Sequence, residues 1–387
     1  MNILLLSLPL PGLTGQQVAD IAQTAWKEVR PEDTLQIFPF TEGSPLPGVG
    51  SGLAEVYEAA VGEITPLPLP YPAFSMAQGR HAVIDCATTH SWYGQKSLTG
   101  STADLGKTVQ ALPEIGVENL HLHLPRFMAP TDLGKGFLGS FGTAKENNLA
   151  GSYLALRRTL QELQTVITFD TPQVLDGISG MARSWMHYGI SGEEAQDFSR
   201  QVGEWVHKIG KIADHYYPDL LSAQSAESSE SNFSIHFESS PLSARSPRSA
   251  NSGVGGGIGF LGALCDIPCW PLGEYLYTAH IGVKLREAMA TADLVAYIGG
   301  NIAADFPAGL RQVAQVAAQR AIACLVLTDF STLRRGDIPQ YGLAGCYELH
   351  PESAFLPLSQ YMQFPTVQVT PVQLGQAVQR LAHTWGW

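Results

Sequence analysis

Short apolar runs alternate with helix-length amphipathic stretches at both ends of this chain, and that alternation restricts the fold more than any other feature. Residues 2–8 form an apolar run, Gly12 supplies a turn, Thr14 stands as an N-cap, and residues 16–29 carry helical spacing. A second run at 35–40 completes a β-α-β unit, which calls for parallel strands joined by a crossover helix. The pattern returns late in the chain, with a helix at 281–291, a strand at 293–298, a helix at 309–320, a strand at 322–327 and a closing amphipathic helix at 371–383. Between the two ends lie a helix at 53–61, strands at 81–87, 119–124 and 165–169, a helix within 102–116 and a long amphipathic helix at 193–215.

At 387 residues the chain exceeds what one core usually holds, so two α/β lobes are expected. A Pro-rich stretch at 65–72 and a Ser/Gly-rich return mark the hinges, giving a discontinuous lobe from 1–72 and 253–387 and an inserted lobe from 73–252. Within the latter, residues 222–252 are dominated by serine, with Phe233, Ile235, Phe237 and Leu242 as the apolar anchors, and are expected to be mobile.

A net charge of −12, with only 15% charged residues, argues against nucleic acid or an anionic membrane as partner, because both require basic patches. No run of about eighteen apolar residues suggests a membrane span. Residues 1–6 are apolar, but no Lys or Arg precedes them and Pro9 and Pro11 interrupt the run, so a buried first strand and a cytoplasmic location are expected. Five cysteines give no disulfide framework, and Cys265 and Cys269 lack the further ligands a zinc site needs. His121 and His123 alternate with leucines on one strand, and the reading for them is a solvent-facing or internally satisfied pair, with no metal site.

Three segments resemble the bacterial glycerate kinase family, whose members transfer the γ-phosphoryl of ATP to a hydroxyl of glycerate. Residues 129–136, with Asp132, Gly134 and Gly136, resemble the family's Ala-Thr-Asn-Asp-Gly-Gly-Ala-Gly turn. Asp170, Leu175, Gly177, Gly180, Arg183 and Trp185 fall at the spacing of a segment that runs from a strand-ending Asp to an Arg. Gly253, Gly256, Gly257 and Gly259 match a Gly-rich stretch ahead of a helix. The resemblance implies a two-lobed glycerate-kinase-like α/β fold, with a Rossmann- or flavodoxin-like parallel sheet in the lobe built from the chain ends. It also implies ATP and Mg²⁺ as cofactors and a small organic acid as substrate, should the chain be active.

The departures from that pattern are chemical. Where the family's first strand ends in Asp-Ser-Phe-Lys-Gly, this chain has Leu8, Pro9, Leu10, Pro11 and Gly12, and Glu42 stands where an Asp begins the Asp-Gly-Gly-Glu-Gly loop. The family's Gly-Glu-Gly-Arg-Ile-Asp and His-Gly-Lys fall on residues 298–303 and on Ala308, Gly309 and Leu310. Phosphoryl transfer needs cations on the phosphates and carboxylates on Mg²⁺. The matched residues left for it are Asp132 and Asp170 as candidate acids or bases, Arg183 as the retained cation, and Glu42 with the glycines at 134, 136, 253, 256, 257 and 259 as candidate binding positions. Lys96, Lys107, Arg126 and Lys135 are the cations to which a displaced site would turn. The expectation is a member that is catalytically weak or inactive, with a non-catalytic binding or regulatory protein, or a kinase for another small hydroxy acid, as the alternatives.

Overall fold

The computed structural model describes residues 1–43, 51–69, 71, 73–77, 79–86, 101–125, 132–142, 148–186, 190–216, 246–302, 306–349 and 368–385. In chain order its strands are β1 Asn2–Ser7, β2 Thr34–Pro39, β3 Thr65–Pro66, β4 Ala73–Met76, β5 His81–Asp85, β6 Asn119–Leu124, β7 Val166–Phe169, β8 Cys269–Pro271, β9 Leu294–Ile302, β10 Ala323–Ser331 and β11 Gly345–Glu348. The described helices are α1 Gly15–Val29, α2 Leu53–Val61, α3 Ala103–Ala111, α4 Lys135–Gly139, α5 Leu149–Glu162, α6 Met181–Met186, α7 Gly192–Tyr216, α8 Ile258–Leu264, α9 Leu272–Thr278, α10 Val283–Thr291, α11 Ala308–Gln319 and α12 Pro371–Trp385. The chain divides into two compact units, Met1–Thr65 with Pro271–Trp387, and Pro66–Trp270.

In the first unit the strand order is β11-β10-β9-β1-β2, and every pairing is parallel. From β1 the chain crosses through α1 to β2 on one side, while from β9 it crosses through α11 to β10 on the other. The order reverses between β1 and β9, and in open α/β sheets ligands bind beyond the C-terminal strand ends at such a point. Local chemistry fixes the first crossover. Thr14 accepts the Gln17 N–H at 3.2 Å and the Gln17 side chain accepts the Thr14 N–H at 2.9 Å, so a full capping box starts α1. One face of the helix, Val18, Ala22, Ala25 and Trp26, then packs with Leu374, Val378 and Leu381 of α12 over Ile3, Leu5 and Ile298. Burying each such aliphatic side chain is worth roughly 1.5–3 kcal/mol.

β9 and β10 run to Ile302 and Ser331, beyond the strand ends read from sequence. The sequence there looks like a Gly loop, yet Gly299, Asn301 and Ile302 pair in register with Thr328, Phe330 and Ser331. Gly299 belongs in the strand because a Cβ on it would come within 2.6 Å of the Tyr297 ring and 3.2 Å of Leu8.

In the second unit the order is β3-β4-β5-β6-β7-β8, with β5, β6 and β7 parallel and β4 antiparallel to β5. Ala82, Ile84, Leu120, Leu122, Ile167 and Phe169 face a core completed by α3, α5 and α8. Residues 253–270, expected with the chain ends, fold in this unit. Ile258, Phe260, Leu261 and Leu264 enter its core, and the Ile167 N–H donates to Pro268 O at 2.9 Å. The Ser-rich stretch expected to be mobile lies outside the described residues from 217 to 245. Its end, 246–252, is ordered by hydrogen bonds instead: Ser252 is fully buried, accepts the Leu175 N–H at 2.9 Å and donates to Pro247 O at 2.7 Å. His121 and His123 are likewise buried, not solvent-facing. α5, α6, α9, β3, β4, β8 and β11 have no counterpart in the sequence reading, while α8 is the helix expected after the Gly-rich stretch.

Candidate functional site

Beyond the C-terminal strand ends of the first unit, Glu42 follows β2 and reaches the start of α11. Its carboxylate accepts the Gly309 N–H at 3.0 Å, the Leu310 N–H at 2.8 Å and the Tyr297 hydroxyl at 3.1 Å. Two segments singled out in the sequence, Glu42 and residues 309–310, therefore meet. The first amides of a helix are orphan donors at the positive end of its dipole and suit an anion. Here the anion is the chain's own. Burial pushes the Glu42 carboxyl up to about 7, against the three hydrogen bonds, and Glu274 adds to the rise. Glycine is required on both sides of it, since a Cβ on Gly273 or Gly309 would come within 2.1 Å or 2.6 Å of the Glu42 oxygens.

The N-terminus of α1 is closed in the same way. Glu55, on α2, accepts the Gln16 N–H at 3.1 Å and is also bonded by the Gly15 N–H, and burial raises its carboxyl.

In the second unit Asp132 precedes α4. Thr102 donates to it twice, from N–H to Oδ2 at 2.9 Å and from Oγ1–H to Oδ1 at 2.8 Å. The Gly134 N–H donates to Oδ1 at 3.0 Å and the Gly136 N–H to Oδ2 at 2.8 Å. An ionised carboxylate offers about four lone-pair directions, and these four donors take them. The turn that achieves this is strained, with Leu133 at φ 62° and Gly134 at φ 74°. Gly136 allows the approach, because a Cβ there would lie 2.4 Å from Asp132 Oδ2 and 2.7 Å from Ala103 N.

The three segments of the resemblance converge in this unit. A Cβ on Gly257 would lie 3.2 Å from the Leu133 carbonyl, and one on Gly253 would lie 2.8 Å from Val174 O. Gly253 to Gly257 are fully buried, and the N–H groups of Gly253, Gly255 and Gly257 donate to Gln173 O, Pro125 O and Gly253 O. This stretch makes close backbone packing. A Cβ on Gly259 would come within 2.2 Å of Asn251 O, the same kind of contact. Asp170 follows β7, and its Oδ1 accepts the N–H of the next residue, Thr171; an Asx turn would need the N–H two residues on, which Pro172 lacks. Trp185 is buried against Phe198 at 4.4 Å, while Arg183 is exposed on α6.

Of the substitute cations, Lys107 pairs with Asp104 at 3.2 Å and Lys135 lies over the Trp205 ring at 5.5 Å. Lys96 and Arg126 lie outside the described residues. The sequence reading missed Tyr297, Thr102 and Glu55. Thr102 and Glu55 carry a sequence signal, each at or near a helix start, but their partners are distant along the chain.

Mg²⁺ binds through carboxylate oxygens with free lone pairs. Asp132 has none left, Glu42 serves three donors, and among the described residues no three His, Cys, Asp or Glu side chains gather at metal-binding distance. As they are engaged in this structure, Asp132 and Glu42 do not fit that ion. Among the described residues, no helix is long and apolar enough to cross a membrane.

No family model and no curated protein matches the sequence. Among solved structures, the chain is similar to the crystal structure of "putative glycerate kinase 2" from Salmonella typhimurium LT2, at 15% identity and a TM-score of 0.62 over 100% of this chain and 98% of that one. The chain thus has a glycerate-kinase-like α/β fold.

Proposed function

We propose that this chain is a glycerate-kinase-like protein that does not phosphorylate glycerate at kinase rates and serves as a non-catalytic binding or regulatory protein. One observation carries the reading. The acid that best survives from the resemblance, Asp132, spends its four lone-pair directions on Thr102, Gly134 and Gly136. A carboxylate so engaged shapes a turn and cannot also hold a metal or take a proton without breaking the turn. The closure of α1 and α11 by Glu55 and Glu42 supports the same reading, because the phosphates of a nucleotide would compete with resident carboxylates there. ATP, Mg²⁺ and a small organic acid are then ligands at most, and cations for the transferring phosphoryl are lacking at the matched positions apart from Arg183.

The test is a coupled ADP-release assay with D-glycerate and Mg·ATP, run beside thermal shifts with each ligand. The expected result is no turnover above background. Turnover of about one per second, within the ordinary range for kinases, abolished by Asp170→Ala or Arg183→Ala, would overturn the proposal.

A further inference from the structure

At the switch point of the first unit's sheet, Ser7 ends β1 with a hydroxyl that has no hydrogen-bond partner among the described residues, although the residue is fully buried. Buried polar atoms are nearly always bonded, so such an exception calls for a reason. Side chains alternate along a strand, and Ile3 and Leu5 point to the face that α1 covers, so Ser7 points there too. α1 starts directly over it: a Cβ on Gly15, the first helical residue, would lie 3.4 Å from Ser7 O. The hydroxyl therefore stands under the first turn of a 15-residue helix, where the leading N–H groups are orphan donors at the positive end of the dipole.

Glu55 of α2 now answers those amides. Its Oε2 accepts the Gln16 N–H at 3.1 Å, and the Gly15 N–H bonds the same carboxylate. Glycine at 15 is what admits an anion so close, because a Cβ there would come within 2.7 Å of Oε2. Glu55 is half-buried, and Glu58 sets a like charge near it. A carboxylate serves the two amides and leaves Ser7 unused. A phosphate group presents three oxygens about one centre, which two amides and one hydroxyl can bind together.

We propose that the start of α1 is a phosphate site, with the Gly15 and Gln16 N–H groups and the Ser7 hydroxyl as donors and Glu55 as a resident anion that the ligand must displace. The ligand is free phosphate or the phosphate group of a small ester. Such a site gives the binding protein proposed above its ligand class, and rests on that reading.

Titration calorimetry of the full chain with inorganic phosphate tests this, at an ionic strength held constant with chloride. The wild type should bind weakly, and Glu55→Ala about tenfold or more tightly than the wild type, because the competing anion is gone. Adding Ser7→Ala to Glu55→Ala should cost about tenfold or more, the loss of a hydrogen bond to a charged group. Should Glu55→Ala fail to fold, Glu55→Gln removes the charge and keeps the shape, and the Gly15 and Gln16 amide NMR signals of the wild type are followed in the same titration, where both should shift saturably. Glycerol phosphate separates the two sources: tighter binding than inorganic phosphate assigns the site to an ester, and equal or weaker saturable binding assigns it to free phosphate. Phosphate binding that is absent from a folded Glu55 variant, equal in wild type and variant, or indifferent to Ser7→Ala overturns the proposal. The readout is affinity, so ADP release from glycerate would sink the non-catalytic reading without touching this site.

Discussion

Replacing Glu42 by Gln should remove a pH-dependent load from the first unit. The carboxylate of Glu42 is wrapped by the Gly309 and Leu310 amides and the Tyr297 hydroxyl, and burial pushes it up to about 7 from 4.5. An acid raised on folding binds its proton more tightly in the folded state than in the unfolded one. Its stabilising contribution is therefore full below about pH 4.5 and is lost as pH rises through about 7. The rise from 4.5 to about 7 corresponds to at most about 3.4 kcal/mol, which the residue's partial solvent contact reduces to about 2 kcal/mol. Gln cannot titrate, although its amide must face one of the donors and costs about 1 kcal/mol at every pH. The assay is urea unfolding of wild type and variant from about pH 4.5 to about pH 8, with hydrogen exchange in β1 and β9 reporting the first unit. The wild type should lose about 2 kcal/mol relative to the variant as pH rises. A constant difference between the two, or a relative gain by the wild type, would refute the argument.

Asp132→Asn puts an amide where Oδ2 accepts two N–H groups, and should cost about 2–4 kcal/mol in urea unfolding. Gly257→Ala, at φ 102° and against the Leu133 carbonyl, should lower the melting temperature through a loss of about 2 kcal/mol. Asp33 titrates with the opposite sign to Glu42: burial opposes its ionisation, but the Trp26 hydrogen bond and neighbouring positive charges hold its carboxyl below 3.8. The stability it adds is present above about pH 3.8 and lost on further acidification, so Asp33→Asn should flatten the acid limb of a melting-temperature profile. Arg183→Ala, exposed on α6, should change stability by less than about 0.5 kcal/mol in the same melts.

The sequence alone determined the elements whose signals are local. Thr14 as N-cap marks the start of α1, and Leu53–Val61 and Asn119–Leu124 are read to the residue because propensity and apolar period agree there. The segments that meet around Asp132 and Gly257 could also be picked out, since glycine and aspartate leave a mark wherever backbones come close. Tertiary structure alone decided what those residues do. Whether Asp132 is free for chemistry depends on Thr102, thirty positions away, and whether Glu42 is a ligand group depends on Gly309 and Leu310 at the far end of the chain. The placement of 253–270 in the second unit likewise rests on pairings between distant strands. A residue's type fixes how many hydrogen bonds it can make; only the fold brings up the partners that use them.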